Sequence, residues 1–227
     1  MASIDPELLL RAYAIGVFPM SDSRDATEVF WVEPRRRAVI PLDGLHLSRS
    51  LLKTLRSGRF LVTANAAFTE VVRACAQWPE TWINAEIEES YNLLHRLGHA
   101  HSIECWQGDA LAGGLYGVSL GAAFFGESMF SSERDASKVA LAWLVARLRA
   151  GGFRLLDCQF MTEHLRSLGA VEVDQQSYLR SLSSALEPSA AGAADFGARH
   201  RVLGEPGKAS AGPAPGWVIA QLLGQTS

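Results

Sequence analysis

The run from Ala110 to Phe130, ALAGGLYGVSLGAAFFGESMF, constrains this chain most: it is uncharged as far as Gly126 and carries five glycines. Glycine inside a helix costs about 1 kcal/mol each relative to alanine, and the uncharged part is too short to cross a bilayer as a helix. With SIECW before it, turns over Gln107–Asp109 and at Gly121 divide the region into three antiparallel strands of a meander. The period then changes. Ala136 to Ala150 carries Val139, Ala142, Leu144, Val145 and Leu148 on a helical pattern, with Ser137 as a cap and Gly151-Gly152 as the stop. FRLLDCQF follows as a buried strand, so strand, helix and strand form a unit that should cross over right-handed.

Upstream, Pro6 to Ala14 is apolar at helical spacing, GVFPM makes a turn around Pro19, and VFWVEP and RRRAVIP are short strands closed by Pro34 and Pro41. His46 to Arg56 predicts a helix with Ser48 at its N-cap; RFLVTAN is a strand; Phe68 to Ala76 and Glu86 to Leu97 are helices. After FRLLDCQF come a short helix, Glu163 to Ser167, and AVEV as a final strand. From Glu187 to Ser227, 20 of 41 residues are Gly, Ala or Pro, too little apolar surface to order a segment; within it only GWVIAQLL could dock. The expected fold is α/β (α+β) in two lobes: a small N-terminal α/β lobe with a basic helix at 1–95, a larger mixed-sheet lobe at 96–186, and a loose tail at 187–227.

With 227 residues, 48% apolar and 20% charged, the chain can bury a sizeable core. A net charge of −3 argues against a bulk polycation, yet Arg35 to Arg59 holds seven bases against one acid, and Leu61 to Ala110 seven acids against two bases. A local basic stripe on an acidic protein suits one anionic partner held in one place. Cys75, Cys105 and Cys158 are an odd, widely spaced set, which reads as reduced thiols in a cytoplasmic protein and not as a disulfide framework or zinc site. Asp5 and Glu7 precede the first apolar run, unlike a secretory signal, and no membrane segment is expected.

The densest polar cluster on apolar strands is GESMF with DCQ. Asp157 and Gln159 stand two apart on one expected strand, so their side chains should face the same way. Glu127 sits among Phe124, Phe125, Met129 and Phe130. An unpaired carboxylate there costs several kcal/mol, roughly, and a salt bridge to Lys138 or Arg134 would be the plain structural answer. Three such groups gathering on neighbouring strands point instead to a site. The strand glycines either mark close backbone contacts or let a ligand lie against the sheet. RSLGAV, Arg166 to Val171, is superficially like the pyrophosphate loop of acetyl-CoA N-acyltransferases but precedes a strand and does not open a helix. His95, His99 and His101 lack matched carboxylates and suit surface or capping roles better than metal ligation, whereas His164 is a better candidate to line a site. No nucleophile elbow or Cys/His pairing marks a hydrolase. Arg49, Lys53 and Arg56 share one helix face; with Phe30, Trp31, Trp78 and Trp82 nearby in sequence they suit phosphates and unstacked bases of single-stranded RNA.

These residues resemble the bacterial leucyl/phenylalanyl-tRNA–protein transferases. AYAIGVFPM, FWVEPRRRAVIP, LHLSRSL, TWI, LGHAHSIECW, LAGGLYGVSLGAAFFGESMFS, ASKVAL and LLDCQF with HLRSLGA run in order from about residue 8 to 180. The resemblance implies a two-lobed fold whose larger lobe is similar to the GCN5-related acyltransferases. It also implies an aminoacyltransferase moving Leu or Phe, Met less well, from aminoacyl-tRNA to proteins beginning with Arg or Lys, marking them for degradation. On that reading Gln159 positions the amine or the carbonyl, and Asp157 orients it or accepts the proton. Glu127 pairs with the acceptor's cation or holds its amine. Leu115, Phe124, Met129, Leu141, Leu144 and Leu148 form the aminoacyl pocket. Trp82 and Tyr91 meet the terminal adenosine, and Arg49, Lys53 and Arg56 contact acceptor-stem phosphates. No metal or organic cofactor is implied, and a monomer is expected. An acyl-CoA acetyltransferase and a non-catalytic RNA-binding module are the alternatives.

Overall fold

The computed structural model describes residues 3–188, 192–197 and 216–224. In chain order the elements are α1 (Pro6–Ala14), β1 (Phe18–Met20), β2 (Phe30–Val32), β3 (Arg36–Val39), α2 (Arg49–Arg56), β4 (Leu61–Ala64), α3 (Phe68–Cys75), α4 (Ala85–Arg96), β5 (Ala100–Gln107), β6 (Ala110–Leu120), β7 (Ala123–Ser131), α5 (Ala136–Ala150), β8 (Leu155–Asp157), α6 (Glu163–Ser167), β9 (Val171–Asp174), α7 (Gln175–Leu186) and α8 (Gly216–Gly224).

Seven strands form one mixed sheet in the order β4-β5-β6-β7-β8-β3-β9, and β1 and β2 make a separate two-stranded ribbon. The meander β5-β6-β7 is antiparallel, and β8 returns parallel to β7 after α5, as the crossover pattern predicts. The central strands β6, β7 and β8 show their two faces to two cores. Leu115, Phe124 and Leu156 join α5, Leu51 and Leu55 of α2 and Leu165 of α6 on one side. Tyr116, Phe125 and Leu155 join Leu9 and Tyr13 of α1, Val71 of α3, Tyr91 of α4 and Leu182 of α7 on the other. The period of two in β6 and β7 therefore sorts side chains into a three-layer α/β/α arrangement. The strand glycines follow the close-contact reading: a Cβ on Gly113 would stand 2.6 Å from that of Ala136, and one on Gly117 would stand 2.2 Å from the Phe125 carbonyl oxygen.

Several boundaries differ from the sequence expectation. FPM is a strand, because Pro19 occupies an edge of the β1–β2 ribbon where its missing N–H is tolerated. Ser137 does not cap α5; Asp135, at φ +69°, stands before the first turn and Ser137 is buried within it. FRLLDCQF is regular strand only over Leu155–Asp157. The sheet does not divide at residue 95, since β3 and β4 are strands of the same sheet as β5 to β9. Gln175–Leu186, unread in the sequence, is a helix capped by Asp174. The tail is partly core. GWVIAQLL forms most of α8, burying Ile219, Ala220 and Leu223, and Phe196 stacks on Phe124 and His101; residues 189–191, 198–215 and 225–227 lie outside the described part. Among the described residues no helix is long and apolar enough to cross a membrane.

Candidate active site

β7 and β8 are paired only as far as Phe125 opposite Asp157. Beyond that point β7 continues along β6 to Ser131, while β8 stops and the chain turns away at Gln159, whose φ is +53°. The two strands splay, and a cavity of about 290 Å³ opens between them. That is near the small end of ligand sites, roughly 300–1,000 Å³, and suits a side chain better than a whole coenzyme.

Gly126, Glu127, Ser128 and Met129 of β7 form one wall, and Leu156, Cys158, Gln159 and Phe160 the other. Leu115 and the α5 residues Leu141 and Leu144 make an apolar floor, and Phe18, Met20, Trp82, Thr162, His164 and Leu165 complete the lining. Of the expected pocket residues, Leu115, Met129, Leu141 and Leu144 line it. Phe124 and Leu148 do not. Phe124 lies before the splay, where β7 and β8 are still paired, and its ring packs on Phe153 and Phe196. Leu148 lies one turn beyond Leu144 and is sealed in the core.

The three polar groups meet here, but not as one strand face. Asp157 is wholly buried and is absent from the cavity wall, so the expectation that it and Gln159 point the same way fails: Gln159 has left the strand. Asp157 is held by Arg37, whose Nη2 donates to Oδ2 at 2.6 Å and whose Nε donates at 2.9 and 3.0 Å. The Tyr178 hydroxyl donates to Oδ2 at 2.9 Å, and the Gln159 backbone N–H to Oδ1 at 2.9 Å. Neither Lys138 nor Arg134 is its partner; both turn to Asp135, at 3.4 and 3.9 Å. Burial alone would lower the Arg37 pKa; the ion pair outweighs it and the guanidinium is held charged.

Glu127 is satisfied without a cation on it. Its Oε1 accepts from Gln159 Nε2 at 3.0 Å and its Oε2 from the Tyr91 hydroxyl at 2.8 Å, which in turn lies 2.7 Å from the Tyr13 hydroxyl. Burial pushes the Glu127 carboxyl up to about 7, with the tyrosine hydroxyls pulling the other way and Asp157 adding repulsion. Tyr91 has no exposed surface to offer a base; it reaches the cavity only through Glu127, while Trp82 is half-buried and lines the cavity. Arg37, Tyr178, Tyr13, Phe18 and Met20 were missed by site reasoning. Arg37 is concealed in a run of three arginines, and only knowing that β3 lies beside β8 separates it from its neighbours.

The basic stripe divides accordingly. Arg37 is buried, Arg36 pairs with Glu172 and Arg59 with Glu133. Arg49, Lys53 and Arg56 are exposed on α2, and no ion pair among the described residues involves them. His95 stacks on Phe68, and His101 sits between Asn65 and Ser119. Among the described residues no three His, Cys, Asp or Glu side chains gather as a metal site requires. RSLGAV ends α6 and enters β9, so it presents no helix N-terminus to a pyrophosphate.

Residues 39–183 match the family model of the leucyl/phenylalanyl-tRNA protein transferases, and residues 2–35 match that family's N-terminal domain. A leucyl/phenylalanyl-tRNA–protein transferase of Rhizorhabdus wittichii is 60% identical over an alignment that covers 100% of both chains. That of Novosphingobium aromaticivorans is 62% identical over 84% of this chain and 74% of its own length. That of Cereibacter sphaeroides is 58% identical over 86% and 89%. A splayed sheet with an apolar, side-chain-sized cavity, carrying a glutamate and a glutamine in its walls, thus sits in a chain whose sequence matches over nearly its whole folded part: it belongs to the leucyl/phenylalanyl-tRNA–protein transferase family.

Proposed function

We propose that this aminoacyltransferase moves Leu or Phe, and Met less well, from the 3′ end of aminoacyl-tRNA to the α-amino group of proteins beginning with Arg or Lys, marking them for degradation in the cytoplasm. The observation that carries this reading is the cavity between β7 and β8, greasy in its floor and polar at Glu127 and Gln159. The aminoacyl side chain enters between Leu141, Leu144 and Met129. A β-branched chain would clash near its Cβ, a shape discrimination worth about 1–3 kcal/mol.

The ester is already activated, so the protein mainly aligns amine and carbonyl and handles one proton. The amine nitrogen attacks the carbonyl carbon, the bond to the 3′-oxygen breaks, and the proton shed by nitrogen ends on that oxygen. Gln159 uses one amide N–H on Glu127, which leaves the other N–H and its carbonyl oxygen for substrate. Glutamine is no base, and we assign it the positioning of the amine and the ester carbonyl. Glu127, with a carboxyl near 7, is suited to receive the amine's proton and return it to the leaving oxygen. Trp82, half-buried in the cavity lining, offers a ring to the terminal adenosine. Arg49, Lys53 and Arg56 take acceptor-stem phosphates. The protein is proposed to work as a monomer without metal or organic cofactor.

Labelled Phe-tRNA with a peptide beginning with Arg tests the reading. Label should pass to that peptide and not to one beginning with Ala; no label on the first, or equal label on both, contradicts it.

A further inference from the structure

A general base has to stand about 2.6–3.2 Å from the proton it takes, or one water away, and an ionised carboxylate has about four acceptor sites. Those of Asp157 are taken by protein. Arg37 Nε and the Gln159 N–H occupy Oδ1, and Arg37 Nη2 and the Tyr178 hydroxyl occupy Oδ2. Arg37 is itself fixed, with Nη1 on the Gly16 carbonyl at 3.0 Å and its guanidinium over the Phe18 and Tyr178 rings. Gln159 is the beneficiary. A left-handed φ in a residue other than glycine is strained and persists only where the surroundings impose it. Here its N–H is gripped by Asp157, and its carbonyl accepts from Ala38 N–H at 3.0 Å, one residue along from Arg37. That backbone aims the Gln159 amide at Glu127 and the cavity.

We infer that Arg37, Asp157 and Tyr178 are positioning residues, a clamp that fixes the backbone of Gln159, and that Asp157 neither receives nor relays the amine's proton. This rests on the transfer reaction proposed above and assigns its dependence on Asp157 to geometry.

The test is a charge-neutral exchange in the full chain. Asp157→Asn alone leaves Arg37 buried without its counter-charge and should lower kcat about 100-fold or more. Adding Arg37→Gln removes the stranded charge, while the carboxamide oxygen that Asp157→Asn introduces still accepts from the Gln159 N–H. The double variant should regain at least about tenfold of that loss, with KM for Phe-tRNA unmoved and the midpoint of the acid limb of the kcat–pH profile where the parent has it. A folded, tRNA-binding double variant as slow as Asp157→Asn overturns the clamp, because a lost base is not restored by a second amide. Where the Asp157 variants do not fold, Tyr178→Phe decides, since it keeps the ring over Arg37 and removes one donor. It should lower kcat roughly 3–10-fold at constant KM, whereas unchanged kcat or a shifted acid limb overturns the proposal. A crystal structure of Tyr178→Phe reads the clamp without turnover: Gln159 should lose its set conformation or its order, and a Gln159 identical to the parent's counts against it. A parent that transfers nothing from Phe-tRNA overturns the function itself, and that structure still judges the clamp.

Discussion

Glu127 and Asp157 lie on neighbouring strands, both buried, and the protein keeps them in opposite ways. Asp157 is bonded to a guanidinium, a hydroxyl and a backbone N–H, with no face left over. Glu127 is bonded to one hydroxyl and one amide and stands at the wall of a cavity. A cation in direct contact, with every acceptor site filled, makes Asp157 structural. Burial raises Glu127 to about 7, and contact with neutral donors alone leaves it able to meet a substrate. Sequence distance hides this, because Arg37 is 120 residues from its partner while Gln159 is two.

The largest effect should separate the two by stability. Asp157→Asn strands the Arg37 charge in the core and should cost about 3–5 kcal/mol at pH 7, read from denaturant unfolding; Glu127→Gln leaves no such charge. A small loss in Asp157→Asn would mean that Arg37 finds another partner and that the pair is not the lock described.

The next effect is on pH. A carboxyl raised from 4.5 to about 7 by burial contributes its stabilisation fully below its unfolded value and loses it as pH climbs through 7. The protein should therefore weaken between pH 5 and 8 by up to about 3 kcal/mol, facing as it does Tyr13, Tyr91, Asp157 and Arg37. Glu127→Gln should flatten that slope in unfolding curves taken across the range. A slope that survives the substitution belongs to another group.

Most of the scaffold around the two carboxylates was legible from residues alone. The glycine-rich meander, the uninterrupted apolar helix and the returning strand follow from periodicity, and Ser48 caps α2 as its position before a leucine-rich turn implies. What was not legible depended on partners far apart in the chain. A strand that ends at Asp157 reads as continuing through Phe160, and nothing local announces the left-handed turn at Gln159. Phe124 and Leu148 are as apolar as Leu141 and Leu144, so pattern could not tell core from cavity; the point at which β7 and β8 part does. Likewise Arg37 reads as one more solvated arginine until β3 is known to lie beside β8.

Two smaller effects sharpen the contrast between cavity and surface. Leu144→Phe narrows the floor of the cavity and should lower transfer of Phe relative to Leu by roughly tenfold, measured as the ratio of kcat/KM for the two charged tRNAs; an unchanged ratio would take Leu144 out of the aminoacyl pocket. Arg56→Ala, on the exposed face of α2, should leave chemistry on bound substrate alone and reduce the slope of log affinity against log salt by about 0.7–0.9 for each phosphate no longer neutralised. A slope equal to the parent's would remove Arg56 from the RNA surface.

The most direct measurement is a crystal structure with a phenylalanyl-adenosine analogue in which an amide replaces the ester. The account predicts the phenyl ring between Leu141, Leu144 and Met129, the carbonyl at Gln159, open room beside Glu127 for the acceptor's amine, and no contact between the ligand and Asp157. A phenyl ring seated elsewhere, or a ligand atom hydrogen-bonded to Asp157, would contradict it.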